Sequence, residues 1–213
     1  MKTIGLLVLS ASILFSNANA QINKGSVLLG GGLNISTTKS TQGGSEQTQR
    51  FLTFAPSIGV AVRANTVVGL NVDFGSSRYV NASGNSRAHT YGGGVFVRRF
   101  LPLGKNVYLA GEAALGYAHT NRTTVLATPA SPIAREVSDQ LSLGFTPSVT
   151  YAVGKRFQLQ ASINQLFGAY YAKSTQRQDS NPANELSSKS FGLQANLSSA
   201  APLSIGFRIV LGK

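Results

Sequence analysis

Between Thr48 and Val62 the chain alternates by size and polarity at every step. Leu52, Phe54, Pro56, Ile58, Val60 and Val62 occupy one parity; Thr53, Ala55, Ser57, Gly59 and Ala61 occupy the other. A period of two belongs to an extended strand, whose successive side chains point to opposite faces. The second face is small or hydroxylic, without the Lys and Glu that a water-washed sheet normally carries. The large apolar face is therefore expected to meet lipid and the small face an interior.

The same pattern recurs in Val68, Leu70, Val72 and Phe74 against Gly69, Asn71, Asp73 and Gly75, and in Leu141, Leu143, Phe145, Val149 and Tyr151 against Ser142, Gly144, Thr146, Ser148 and Thr150. It predicts strands at 24–38, 48–62, 66–79, 88–101, 106–120, 137–153, 156–172 and 189–211. The connections alternate in length. Those over 39–47, 80–87, 121–136 and 173–188 are long and polar, whereas those over 63–65, 102–105 and 154–155 are tight. An even number of antiparallel strands, tight turns at one end and long loops at the other, predicts an all-β, eight-stranded antiparallel up-and-down transmembrane β-barrel, with the turns in the periplasm. Aromatic residues gather near the expected strand ends: Tyr79, Tyr91, Tyr117, Tyr170 and Tyr171 on the loop side, and Phe100, Tyr108, Tyr151, Phe157 and Phe207 on the turn side. These are expected to form two interfacial girdles, although strict parity turns Tyr79 and Tyr108 inward.

The first 20 residues read as an export signal: Lys2, an apolar run from Ile4 to Phe15, and the small-x-small ending Ala18-Asn19-Ala20. That run is shorter than the roughly 20 residues of a spanning helix. Residues 21–213 are expected to form one barrel domain, because no linker or shift in composition divides them. With 23 glycines, 12% charged residues and no tryptophan, the chain is too Gly-rich for helices and too apolar for disorder. There is no cysteine, so stability must come from the ladder and its burial without disulfides.

Ser204-Ile205-Gly206-Phe207-Arg208-Ile209-Val210-Leu211 fits polar-x-Gly-x-x-apolar-x-apolar, with Ser204, Gly206, Ile209 and Leu211 at the defining positions. This resembles the C-terminal β-signal read by the barrel-assembly machinery. Together with the export signal and the alternating strands, it makes the whole mature chain resemble the small outer-membrane β-barrel family common in Bacteroidetes, similar in size to OmpA/OmpX-type eight-stranded barrels. Gly212-Lys213 departs from the aromatic ending of many such proteins. The resemblance implies residence in the cell outer membrane, with membrane lipid and, during biogenesis, the assembly machinery as partners.

By parity the interior should hold Asp73, Arg98, Glu112 and Arg208. A barrel of eight strands is just wide enough to be filled by side chains, so these four are expected to form a paired network that plugs it. No catalytic site is expected. His89 and His119 lack ligand spacing or an acidic cluster for a metal, and Gly30-Gly31-Gly32 and Gly92-Gly93-Gly94 lack the Lys-Ser/Thr and helix of a phosphate loop. Neither a cofactor nor a metal is called for. The net charge of +12 includes basic turns without acids, Arg63, Lys105, Lys155 and Arg156, suited to anionic headgroups of the inner leaflet. No contiguous basic stripe with stacking aromatics supports nucleic-acid binding.

The expected role is structural or surface-interacting, with adhesion or recognition carried by four extracellular loops. A small-solute channel is the alternative from another class. A soluble lipocalin-like barrel with an apolar ligand inside is disfavoured by the uncharged small face.

Overall fold

In a computed structural model, the structure describes residues 22–42, 45–82, 84–126, 133–154, 156–163, 165–178, 181–195 and 203–212. The proposed export signal and Lys155 lie outside them. Ten strands form one antiparallel sheet: β1 (Val27–Gln42), β2 (Ser45–Arg63), β3 (Thr66–Asn81), β4 (Gly84–Pro102), β5 (Val107–Leu126), β6 (Ala134–Ala152), β7 (Phe157–Ile163), β8 (Phe167–Gln178), β9 (Asn181–Ala195) and β10 (Leu203–Leu211).

Neighbours in sequence are neighbours in the sheet from β1 to β7, and β10 returns between β7 and β1, so eight strands close a ring. The eight expected crossings are therefore present, one of them interrupted within the described residues, and residues 196–202 between β9 and β10 lie outside these. β7 and β8 are one crossing broken around Gln165, which adopts φ 46°. β9 and β10 occupy the stretch expected as the last strand. Beyond the break, β8 continues the pairing with β6 and β9 lies on β8. β1 pairs with β10 over Val27–Leu33. Among the described residues β9 makes no ladder with β1, and the outer part of that seam is uncovered: Phe191 is 72% and Leu193 79% exposed, against 45% for Phe74 in an intact stretch of wall.

The expected tight turns at 63–65 and 102–105 are where the sequence put them, and Lys155 of the third lies outside the described residues. β2 and β3 join through Ala64-Asn65, with Arg63 opposite Thr66 and Asn65 at φ 58°, a left-handed conformation that Asn tolerates. The long loops are a correction. Gln42 pairs with Ser45, Asn81 with Gly84, Thr124 with Ala134, and Gln178 with Asn181, so most of each polar segment continues as β-hairpin. Ser, Thr, Asn and Gln on both faces indicate water on both sides of the sheet, and backbone pairing does not stop because alternation does. Ser174–Ser188 and Arg177–Glu185 contacts tie such a hairpin together.

The parity holds without inversion along the walls. Ile58, Val60, Leu70, Val72, Val95, Val97, Leu115, Leu143 and Val149 point outward with side chains uncovered by protein, and the belt they form carries no charge through the middle of these strands. Water would penalise such a surface at about 25 cal/mol per Å² of apolar area, and lipid does not.

Candidate functional site

The interior is filled most densely at its turn end. Val67, Phe96, Phe100, Tyr108 and Ala110 are buried there together with Leu28, Ala61, Ala152 and Val210. Ile22 is fully buried against this cluster, its carbonyl accepting from the Asn65 amide at 3.1 Å. Phe100 and Tyr108 meet edge to face, centroids 6.3 Å apart. This corrects the expected turn-side girdle. Both rings sit on inward positions and pack the floor, while Tyr151, Phe157 and Phe207 face outward, the last two stacked at 6.5 Å. On the loop side Tyr91, Tyr117 and Tyr171 face outward as expected, and Tyr79 and Tyr170 share the inward parity.

The four interior charges are all on the lumen side, but they do not form one paired network. Arg98 bonds Glu112, the residue directly opposite it across β4–β5, and its guanidinium lies over the Phe96 ring at 4.7 Å. Asp73 instead accepts a hydrogen bond from Asn71 Nδ2 at 2.6 Å. Arg208 is buried, stands 5.5 Å over Phe100, and has neither Nη bonded to a described residue. The reason is geometric: charges on β3, β4, β5 and β10 share a face, yet only adjacent strands in register bring the head groups within reach.

Two glycines are needed for this packing. A Cβ on Gly69 would lie 2.3 Å from the Ile58 carbonyl oxygen and 2.5 Å from the Phe96 ring. One on Gly30 would meet Arg208 Cγ at 2.6 Å. The Gly30 run thus admits a buried arginine and is not a phosphate loop.

Above the floor the interior is polar and looser, with the Thr90 and Thr120 hydroxyls 2.9 Å apart and Ser142 donating to the Gly116 carbonyl at 3.5 Å. On the outer face, above the belt, His119 Nδ1 lies 2.8 Å from Asp139 Oδ1, and Tyr117 donates to the same oxygen. These bonds, that from His119 foremost, hold the Asp139 carboxyl below its ordinary range. His89 is not part of this group. Among the described residues no cluster of three or more His, Cys, Asp or Glu could hold a metal.

Ser204, Gly206, Ile209 and Leu211 all lie on β10, the closing strand. Ser204 Oγ is 2.6 Å from Ser162 Oγ, Gly206 faces the Gly31–Gly32 backbone, and Ile209 and Leu211 point outward. Arg63, Lys105 and Arg156 are exposed at the turn end.

No family model matches the chain, and no curated protein matches it. Solved structures similar in fold include the translocator domain of the autotransporter NalP from Neisseria meningitidis (17% identity, 99% of this chain and 76% of that one, TM-score 0.47). Others are a major outer membrane protein from Thermus thermophilus (15%, 88% and 98%, 0.49) and OprG from Pseudomonas aeruginosa (10%, 92% and 100%, 0.44). At such identities and scores, the reading of this chain rests on its own geometry.

Proposed function

We propose that this protein is a cell outer-membrane barrel of the small Bacteroidetes-type kind, and that its role is structural or surface-interacting, carried by four projecting β-hairpins. The single observation that supports this most is the division of the molecule. Its turn half is filled by Phe96, Phe100, Tyr108 and the Arg98–Glu112 pair inside an uncharged outward belt, whereas its other half consists of polar ladders open to solvent on both faces. Investment in hairpins above a packed floor suits recognition better than transit. Membrane lipid is the lateral partner of the belt, the assembly machinery the proposed reader of β10, and the basic turns at Arg63, Lys105, Lys155 and Arg156 the proposed contact for inner-leaflet headgroups. We assign no enzymatic role.

The channel reading draws on the polar interior above the floor, but a path would require the Arg98–Glu112 pair and both floor rings to move. Envelope fractionation with semi-native electrophoresis tests the location: a compact band in the outer-membrane fraction that shifts on boiling is expected. A soluble periplasmic protein without the shift would overturn the proposal. Planar-bilayer recording tests the role, and reproducible conductance steps from the purified barrel would favour the channel.

A further inference from the structure

Three outward arginines that are far apart in sequence meet in one lateral row. Arg50 on β2 is directly opposite Arg78 on β3, and Arg78 is directly opposite Arg87 on β4. All three are exposed, and all share the parity of the lipid-facing side chains on their strands. Directly opposed residues have Cβ atoms about 5 Å apart, where like charges repel. On the other hairpins an acid stands beside each like-charged opposition: Arg177, opposite Arg135, bonds Glu185 at 2.6 Å, Lys173, opposite Lys189, has Asp139 opposite it on its other side, and Arg122 bonds Glu136 at 3.3 Å. The three arginines of this row have no ion pair among the described residues. The one outward acid described on β1–β4, Glu46, lies four residues further along β2, roughly 13 Å away at the usual strand rise.

The row stands at a defined depth. Phe54, Phe74 and Tyr91 form a parallel row four residues nearer the belt, with Phe74 and Tyr91 packed edge to face at 6.4 Å. At the rise and tilt of such strands the arginines lie about 10 Å beyond these rings along the barrel axis. Between Arg50 and Arg78, Thr48 and Val80 complete a shallow cavity of about 220 Å³. An apolar wall, then an aromatic row, then a cavity flanked by guanidiniums matches an amphiphile with acyl chains below and an anionic head above. Guanidinium forks suit phosphate oxygens, which they bind in pairs.

Resting on the outer-membrane reading, we propose that Arg50, Arg78 and Arg87 form a binding site on the outer wall for the phosphate group of an outer-leaflet lipid. The lipid relieves the repulsion that the register imposes on the row, and the site holds one side of the barrel against a defined lipid.

The test uses the mature chain refolded in neutral detergent, with native mass spectrometry and titration of a phosphorylated glycolipid against its dephosphorylated form. The expected result is preferential retention of the phosphorylated lipid, weakened about a hundredfold in Arg50→Gln/Arg78→Gln/Arg87→Gln. It should be unchanged in Lys24→Gln, an exposed cation at the opposite end to which no lipid contact is assigned. All of these positions are exposed, so the variants should still give the compact band. Equal retention of both lipids, or full retention by the triple variant, would overturn the inference while leaving the barrel standing. Displacement by millimolar inorganic phosphate would mean that the row takes free anion and would also overturn the assignment to lipid. A chain that never forms the compact band would sink the outer-membrane reading itself.

Discussion

At the scale of single residues, the interior charges are informative because they are so unequally partnered. Glu112 is the bonded acid beside the buried Arg98, so Glu112→Gln leaves a guanidinium in the floor without its counter-charge. Removing one partner of a buried pair costs about 3 to 5 kcal/mol, and urea unfolding of the refolded barrel should show a loss of that order. Replacing both residues, as Arg98→Met/Glu112→Leu, should recover most of it. If the single and double variants lose equally, the pair is not what stabilises the floor. Gly69→Val makes a second demand, since its side chain would enter space held by the Ile58 carbonyl and the Phe96 ring. The expected outcome is a barrel that refolds in poor yield, measured by the heat-shifted band, while Gly104→Val at an open turn position refolds normally. Asp139 carries a pH prediction. Its folded carboxyl titrates below the ordinary 3.8, so its hydrogen bonds contribute stability above that pH and lose it as pH falls through the lower folded value. The carboxyl resonance of Asp139 followed by NMR should titrate below that of an unfolded peptide, and His119→Ala should move it back up.

At the scale of elements, the long strands divide into a lower part with an outward apolar face and a hairpin extension above it. The hairpins are ladders without a core, tied by contacts such as Thr124–Ser86 and Arg177–Glu185, and they add little burial to the ring. Deleting residues 79–86 and joining Arg78 to Arg87 through Asn-Gly should therefore leave assembly and the heat-shifted band intact, because the two flanking residues are already cross-strand partners. Loss of the compact band in that variant would show that the hairpins take part in folding the barrel. The alternation that made strands 48–62 and 66–79 legible stops where both faces become polar. For that reason the extensions of β1 to Gln42, β3 to Asn81 and β5 to Leu126 read as loops in the sequence. Their pairing depends on the strand opposite, which no local pattern encodes.

At the scale of the molecule, the described residues give the ring one closed end and one uncovered seam. The floor predicts electrical silence: purified barrel in planar bilayers should give no steps, and Phe100→Ala/Tyr108→Ala should be the first variant to leak. Conductance by the unaltered protein would mean that the floor opens.

What the sequence by itself determined is everything that follows from a period of two: the strands, which side chains face outward, the positions of the tight turns and the inward placement of Asp73, Arg98, Glu112 and Arg208. Parity is a property of one strand and survives any choice of neighbour. What only the tertiary structure decided is adjacency. Register chose Glu112 as the partner of Arg98 and left Asp73 to Asn71. It sent Phe100 and Tyr108 into the floor together, and it laid Arg50, Arg78 and Arg87 side by side. Sliding β4 by two residues would keep every face yet undo the Arg98–Glu112, Phe100–Tyr108 and Arg78–Arg87 pairings, because hydrogen bonding between strands fixes the neighbour across the gap while alternation fixes only the side.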